Sequence, residues 1–386
     1  MSGTTDNVDT RSADQVLADE SRNDRTEALS QLAFFAQYED HEWLIKGFEE
    51  DPALRFTPTH QWQDPTGSGW TSESIINPTT IVAKDVLHLF YRASPRKESL
   101  ASRIGHATYQ GGRWIDDPTN PTIWPIASNE AYGVEDPKIY RFGDVYHLYY
   151  NAVFPVGEQD RAAHPSPGYP VDSVGCDISL AVSSDLETWE KIGAVTPREQ
   201  SLLWAKGAVI PRAADGSAVK INGEYLMYVS EGFNGVLHVG TSPDGMRWEF
   251  RPEAYLDLSP LDGTIHEVAT AYVEGDRLLL DFFYDHHGQW SAGQALYSLD
   301  DPFSQIDIAR GGTLAWGGLT RWHDTLLFAQ GWDAPLDQRQ LHFYRSRRTH
   351  NGLDRNGTRF IGPTDSTAAE SERDPTAVGH QVNADE

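Results

Sequence analysis

Glu135-Asp136-Pro137-Lys138-Ile139-Tyr140, a turn at Gly143-Asp144, Tyr146-His147-Leu148-Tyr149-Tyr150 and, after an insertion, Ile178-Ser179-Leu180-Ala181-Val182-Ser183-Ser184-Asp185 form the stretch that decides the fold. Two aromatic-rich runs of strand length flank a Gly-Asp pair, and such pairs tolerate the positive φ that a tight hairpin requires. A third run of small residues completes an antiparallel unit. Upstream the same order appears as Asn77-Pro78-Thr79-Thr80-Ile81-Val82, Lys84-Asp85, Leu87-His88-Leu89-Phe90-Tyr91-Arg92 and Arg103-Ile104-Gly105-His106-Ala107-Thr108. Downstream it returns as Lys206 to Ile210, Asn222-Gly223, Tyr225 to Val229 and Leu237 to Asp244. A fourth copy starts at His266-Glu267, turns at Gly275-Asp276 and closes with Gln294 to Ser298. The fifth holds Leu319-Thr320-Arg321, His323-Asp324 and Thr325 to Ala329.

The copies start about 50 to 70 residues apart, enough for one four-stranded sheet with a loop insertion. Five such units predict an all-β protein, a five-bladed β-propeller. A β-sandwich with fortuitous spacing is the competing architecture. The expected limits are a disordered acidic segment over residues 1–30, the propeller over 31–348, and a disordered polar tail over 349–386. One stretch, Asp24 to Lys46, carries apolar residues at partly helical spacing and fits no blade. It is expected to pack across the rim or to form an oligomer contact.

The chain has 386 residues, with 31 Lys+Arg against 57 Asp+Glu for a net charge of −26. That balance argues against nucleic acid or an anionic membrane as partner, since both need a positive face to displace counterions. The single cysteine, Cys176, excludes an intrachain disulfide and a Cys-based zinc site. No run of about 18 apolar residues occurs, and Met1-Ser2-Gly3-Thr4-Thr5-Asp6 lacks the features of a secretory signal, so a soluble, cytoplasmic protein is expected. An acidic chain whose lysines are confined to Lys46, Lys84, Lys97, Lys138, Lys191, Lys206 and Lys220 also suggests adaptation to concentrated salt. A melting temperature indifferent to molar KCl would count against that reading.

In a propeller the innermost strands start around one central cavity, so residues at the start of each copy converge from distant parts of the chain. These are Asn77, Glu135 with Asp136, Lys206, His266 with Glu267, and the small pair Gly317-Gly318. Glycosyl transfer needs a proton donor on one side of a sugar and a nucleophile or activated water on the other, and carboxylates on different blades suit it. Tyr284 and Asp285 are candidates for lining the sugar pocket. Trp124, Trp204, Trp290 and Trp316 are candidates for stacking on it, or for blade packing. Asp285-His286-His287 has ligand-type side chains, but neighbours on a strand alternate faces, so no metal is expected.

At this point the residues resemble a known family. Gly133-Val134-Glu135-Asp136-Pro137-Lys138-Ile139, together with Phe90-Tyr91-Arg92-Ala93, Ser102-Arg103-Ile104-Gly105, Lys206-Gly207-Ala208-Val209-Ile210-Pro211 and Gln294-Ala295-Leu296-Tyr297-Ser298, resembles glycoside hydrolase family 130, the β-mannoside phosphorylases and their mannosidase relatives. The resemblance covers roughly residues 70 to 345. It implies that Asp136 is the proton donor, and that Arg92, Arg103 and Lys206 match segments with which phosphate-using members hold phosphate. Where phosphorylases carry a His-Arg pair, this chain has Val229-Ser230-Glu231-Gly232. An acidic side chain there repels phosphate and could activate water. The reading favoured is therefore an inverting glycosidase on β-mannosides or related oligosaccharides, with Asp136 as donor and Glu231 or Glu267 as base.

Three alternatives stay open. One is a phosphorylase, which would need inorganic phosphate as co-substrate; otherwise no cofactor is expected. A second is a furanosidase of the fructosidase and arabinofuranosidase propellers, against which Asn77 stands where a nucleophilic aspartate would be, although Glu73 is near. The third is a glycan-binding propeller without activity. The partner expected in each case is an oligosaccharide, with a homo-oligomer possible.

Overall fold

Strand alternation and hairpin turns assemble the chain into five antiparallel sheets around a common axis, in a computed structural model that describes residues 31–59, 74–95, 99–165, 173–334 and 338–346. Blade one comprises Ser74–Ala83, Val86–Ser94, Arg103–Gln110 and Arg113–Asp116, from the axis outward. Blade two comprises Gly133–Phe142, Val145–Pro155, Val174–Ser183 and Glu190–Ala194, and blade four Thr264–Glu274, Arg277–His286, Gln289–Ser298 and Asp307–Arg310. The five-bladed propeller expected from the recurrences is the fold.

Blade five closes the ring. Its inner strands are Thr320–Trp322, Thr325–Gln330 and His342–Ser346, and its outermost strand is Phe48–Glu50 from the other end of the chain, with Phe48 opposite Ser346 and Glu50 opposite Tyr344. No repeat in the sequence marks this three-residue strand. Among the described residues before it, Gln31–Phe35 is helical and the following segment packs over blades four and five, with Phe34 buried among Ile76, Phe283, Trp316 and Trp332. The predicted tails, Glu73, and residues 24–30 of the amphipathic stretch lie outside the described residues.

Blade three departs from the repeat. Its axis-side segment is not the continuous strand expected over Lys206 to Ile210. Ala205–Lys206 pairs with Glu231–Gly232, Val209 bridges to Tyr228, and Lys220–Ile221 pairs with Glu224–Val229. Between these pieces Pro211 to Val219 makes an excursion that carries Arg212 toward the axis, beside Tyr272 of blade four.

The axis is filled. Arg212 is buried, and its guanidinium donates to Ile139 O (3.1 Å), Gly317 O (2.8 Å), Thr80 O (3.1 Å) and Thr320 Oγ1 (3.0 Å), which ties blade three to blades two, five and one. Lys138, also buried, donates to Ala269 O (2.8 Å) and to Trp316 O. Gly317 lets blade five approach blade one this closely, since a Cβ there would lie 2.3 Å from Pro78 O. Among the described residues no helix is long and apolar enough to cross a membrane.

Candidate active site

The innermost strands of blades one, two and four each carry an irregularity near their start. The register shifts between Ile76 and Thr79, between Glu135 and Lys138, and between Ile265 and Glu267. Such bulges re-aim side chains. Asn77 (φ 46°) and Asp136 (φ 53°) both adopt the left-handed conformation just before a proline, which Asn and Asp tolerate better than other residues with a Cβ. Their side chains are thereby brought together from different blades.

Asp136 is held on both oxygens. Oδ1 accepts from Asn77 Nδ2 (2.6 Å) and Arg92 Nη1 (2.9 Å), while Oδ2 accepts from Asn151 Nδ2 (3.0 Å) and lies 3.6 Å from Lys206 Nζ. Glu135, fully buried beside it, pairs with Arg92 Nη2 (2.8 Å) and Lys206 Nζ (2.8 Å). Burial pushes the Asp136 carboxyl upward, but the charges of Arg92 and Lys206 and the hydrogen bonds from Asn77 and Arg92 outweigh it and hold the group well below the usual carboxylate range. Lys206 is held above the usual ammonium range, because Glu135, Glu231 and Asp136 together outweigh its burial.

Facing them is a second acidic group. Glu231, His266 and Glu267 each bring a ligand-type atom within 4.8 Å of the others. Glu267 Oε2 accepts from Trp316 Nε1 (2.8 Å), and Gly207 makes room for it, since a Cβ at Gly207 would lie 3.0 Å from Oε1. The Glu267 carboxyl is pushed up to about 7. Burial is the largest cause and the charges of Glu231 and Asp136 add to it, against the pull of Lys138 and the Trp316 hydrogen bond. His266 stacks on Phe283 (4.6 Å between centroids) with Trp290 edge-on at 4.8 Å.

The raised Glu267 carries a stability consequence with a definite sign. Between the ordinary value near 4.5 and about 7 the folded protein holds a proton that the unfolded chain has lost, so stability falls as pH rises through that window. Glu267→Gln removes this loss. It is expected to leave the melting temperature little changed at pH 5 and to raise it above the parent's at pH 8; an equal shift at both pH values would contradict the assignment.

Asn77, Glu135, Asp136, Lys206, Glu231, His266 and Glu267 are thus brought into one cluster, and Arg92 joins them. Arg92 is a more committed group than a free anion ligand, for it also donates to Ser102 Oγ (2.7 Å) and Ser99 O (2.9 Å). Arg103, buried at the start of the third strand of blade one, donates to the carbonyls of Ser102 (2.7 Å) and Tyr132 (3.4 Å).

Two expectations need correction. Tyr284 does not line the pocket: alternation on its strand turns Phe283 toward His266 and Trp316 and sends Tyr284 into the buried core of blade four. Asp285 sits at the end of that strand opposite Thr264, where its carboxylate accepts from Gly288 N and fastens the hairpin. The strand argument against His286 and His287 also missed a third group, because Asp262 from a separate turn places its carboxylate within 4.8 Å of both.

Of the tryptophans, Trp316 holds Glu267, Trp290 flanks His266, and the Lys206 ammonium lies 5.9 Å from the centre of the Trp204 ring. Trp124 lies elsewhere. Sequence reasoning missed Asn151 and Trp332. Trp332 Nε1 donates to Asn77 Oδ1 (2.9 Å), which fixes the amide so that its NH2 faces Asp136. Asn151 leaves a signal, as an amide interrupting the apolar run of its strand, whereas Trp332 leaves none.

Known proteins bear on this geometry. The family model of glycoside hydrolase family 130, described as beta-1,4-mannooligosaccharide phosphorylase, matches residues 49–268. A beta-1,2-mannobiose phosphorylase of Thermoanaerobacter sp. is 26% identical over 172 residues, which cover 41% of this chain and 48% of that protein, so the chain spans about half the length of the curated relative it matches. A solved structure described with glycoside hydrolases of family 130 that target beta-1,2 mannosidic linkages in Candida mannan superposes with a TM-score of 0.61 at 19% identity, over 80% of this chain and 96% of its own. A glycosyl hydrolase from Bacteroides ovatus gives 0.59 at 18%, over 81% and 97%. At such identities the two structures speak for the fold alone. The family rests on the matched model, which spans more than half of the sequence including Asp136, Lys206, Glu231 and Glu267: the chain belongs to glycoside hydrolase family 130.

Proposed function

We propose that the protein hydrolyses β-mannosides with inversion. The observation that carries this reading is the Glu231 and Glu267 pair, two carboxylates in mutual reach, with Asp136 near enough for its charge to raise Glu267. A base for water needs a carboxylate there, and phosphate would be repelled by one. In the reaction the water oxygen attacks the anomeric carbon from the α face as Glu267, supported by Glu231, takes its proton. The glycosidic C–O bond breaks, and the leaving oxygen receives a proton that originates at Asp136, directly or through a sugar hydroxyl. The products are an α-configured free mannose and the shortened acceptor.

A second reading, phosphorolysis, is favoured by the description of the family model and by the phosphorylases among the relatives. It requires cations free to hold phosphate, and Lys206 and Arg92 already neutralise Glu135 and Asp136. Product analysis separates the two. A panel of β-1,2- and β-1,4-mannobiose with fructosides and arabinosides is incubated with and without inorganic phosphate. Free mannose formed at the same rate in both conditions is expected; mannose 1-phosphate that forms only with phosphate would overturn hydrolysis. Turnover of a fructoside or arabinoside alone would overturn the mannoside assignment.

A further inference from the structure

On the connection leading into the first strand of blade two, a cavity of about 470 Å3 is lined by Pro121, Thr122, Trp124, Ile126, Thr188 and Lys191. It continues into a second hollow of about 450 Å3 through two shared residues, Thr119 and Glu187. None of these residues belongs to the carboxylate cluster. Volumes of this order suit small-molecule sites. At its rim the Trp124 indole is 49% exposed and Ile126 is 68% exposed.

The groove is a built feature. Buried Asn120 anchors its loop by accepting from His106 N (2.8 Å) and donating to His106 O (2.9 Å) and Asp116 Oδ1 (3.1 Å). Lys191 clamps the other wall, donating to Trp124 O (2.6 Å) and to both oxygens of Glu130 (2.8 and 2.7 Å). Those contacts also remove its charge from the groove. Asp117 is likewise engaged, by His106 Nδ1 (3.3 Å) and by the backbone and hydroxyl of Thr119 (2.8 and 2.7 Å). What the groove offers a ligand is therefore an indole face, threonine hydroxyls and the exposed Glu187 carboxylate.

We propose that this groove is a secondary binding site for a neutral oligosaccharide, with Trp124 as its stacking platform. The apolar face of a pyranose covers an indole, and its hydroxyls can both donate to Glu187 and exchange hydrogen bonds with threonines. An anionic ligand would meet Glu187 and a chain of net charge −26 with the lining ammonium already paired. The groove also bears on turnover. Its loop runs through Glu130 into Gly133–Phe142, so a chain held on Trp124 is held to the blade that carries Asp136. The choice of mannan as first probe rests on the function proposed above.

Affinity electrophoresis tests the site, using Asp136→Asn as the background so that the polymer is not consumed, in gels containing β-mannan, xylan or dextran. Retardation is expected in the mannan gel, weakened about tenfold by Trp124→Ala and less by Glu187→Gln. Trp124→Ala alone should keep kcat/KM on mannobiose, and melting temperatures check that both variants fold. Trp124-dependent retardation by xylan or dextran but not mannan would support the groove and count against the mannoside assignment. Equal retardation of parent and Trp124→Ala, or none in any gel, would overturn the proposal. So would a dimer in sedimentation that Trp124→Ala abolishes without any retardation, since the groove would then be a protein interface.

Discussion

Asp136→Asn is expected to lower kcat on a mannobiose by roughly 10²- to 10⁴-fold, the range that general acid catalysis supplies. KM should change little, because the amide keeps the size of the carboxylate and its oxygen can still accept from Asn77 and Arg92, while the bond from Asn151 is lost. The discriminating measurement is the leaving group. An aryl β-mannoside with an acidic phenol needs little protonation, so the variant should recover most of its rate on that substrate if Asp136 supplies the proton. The electrostatics make this test worth doing, because in the unliganded site Asp136 is ionised and Glu267 is the carboxyl that titrates near neutrality. With Asp136 as donor and Glu267 as base, as proposed, the reactive form would be the minor one before the sugar binds. The pH profile reports only two values shared by the coupled groups. If azide restores Asp136→Asn while the aryl leaving group does not, the roles are reversed and Asp136 is the base.

Arg212→Met is expected to cost about 3–5 kcal/mol of folding free energy, the largest stability effect of any single change considered for this chain. The methionine nearly fills the space but removes the guanidinium that bridges the carbonyls of Ile139, Gly317 and Thr80, leaving Gly317 O and Thr80 O only the hydroxyls of Thr79 and Thr320. Burial lowers the guanidinium to about 10, so it stays charged at neutral pH. Arg212→Lys should recover only part of the loss, since one ammonium cannot reach three blades in the same geometry. Urea denaturation followed by tryptophan fluorescence gives the difference, and a midpoint equal to the parent's for Arg212→Met would refute the idea that Arg212 closes the ring.

Arg212 also shows where the repeat pattern ran out. Its excursion interrupts the third copy, and a short irregular segment has no period to read. The outermost strand of blade five was hidden for a related reason: Phe48–Glu50 is three residues long and pairs with a strand almost 300 residues away, so neither alternation nor a local turn announces it. Tyr284 was misplaced because the sequence shows that alternate residues share a face without showing which face meets the cavity.

The sequence by itself determined the five-fold recurrence of hairpins and the positions at which the inner strands begin, and hence that Asn77, Asp136, Lys206 and Glu267 come together in one cluster. Those features are local, carried by turn chemistry and a period of two within a few residues. Only the tertiary structure decided what the residues do to one another. Arg92 meets Asp136 across 44 residues, Trp316 meets Glu267 across 49, and Trp332 orients Asn77 across 255. Charge state, burial and the orientation of an amide arise from such contacts, which depend on how the blades close around the axis and on no single stretch of chain.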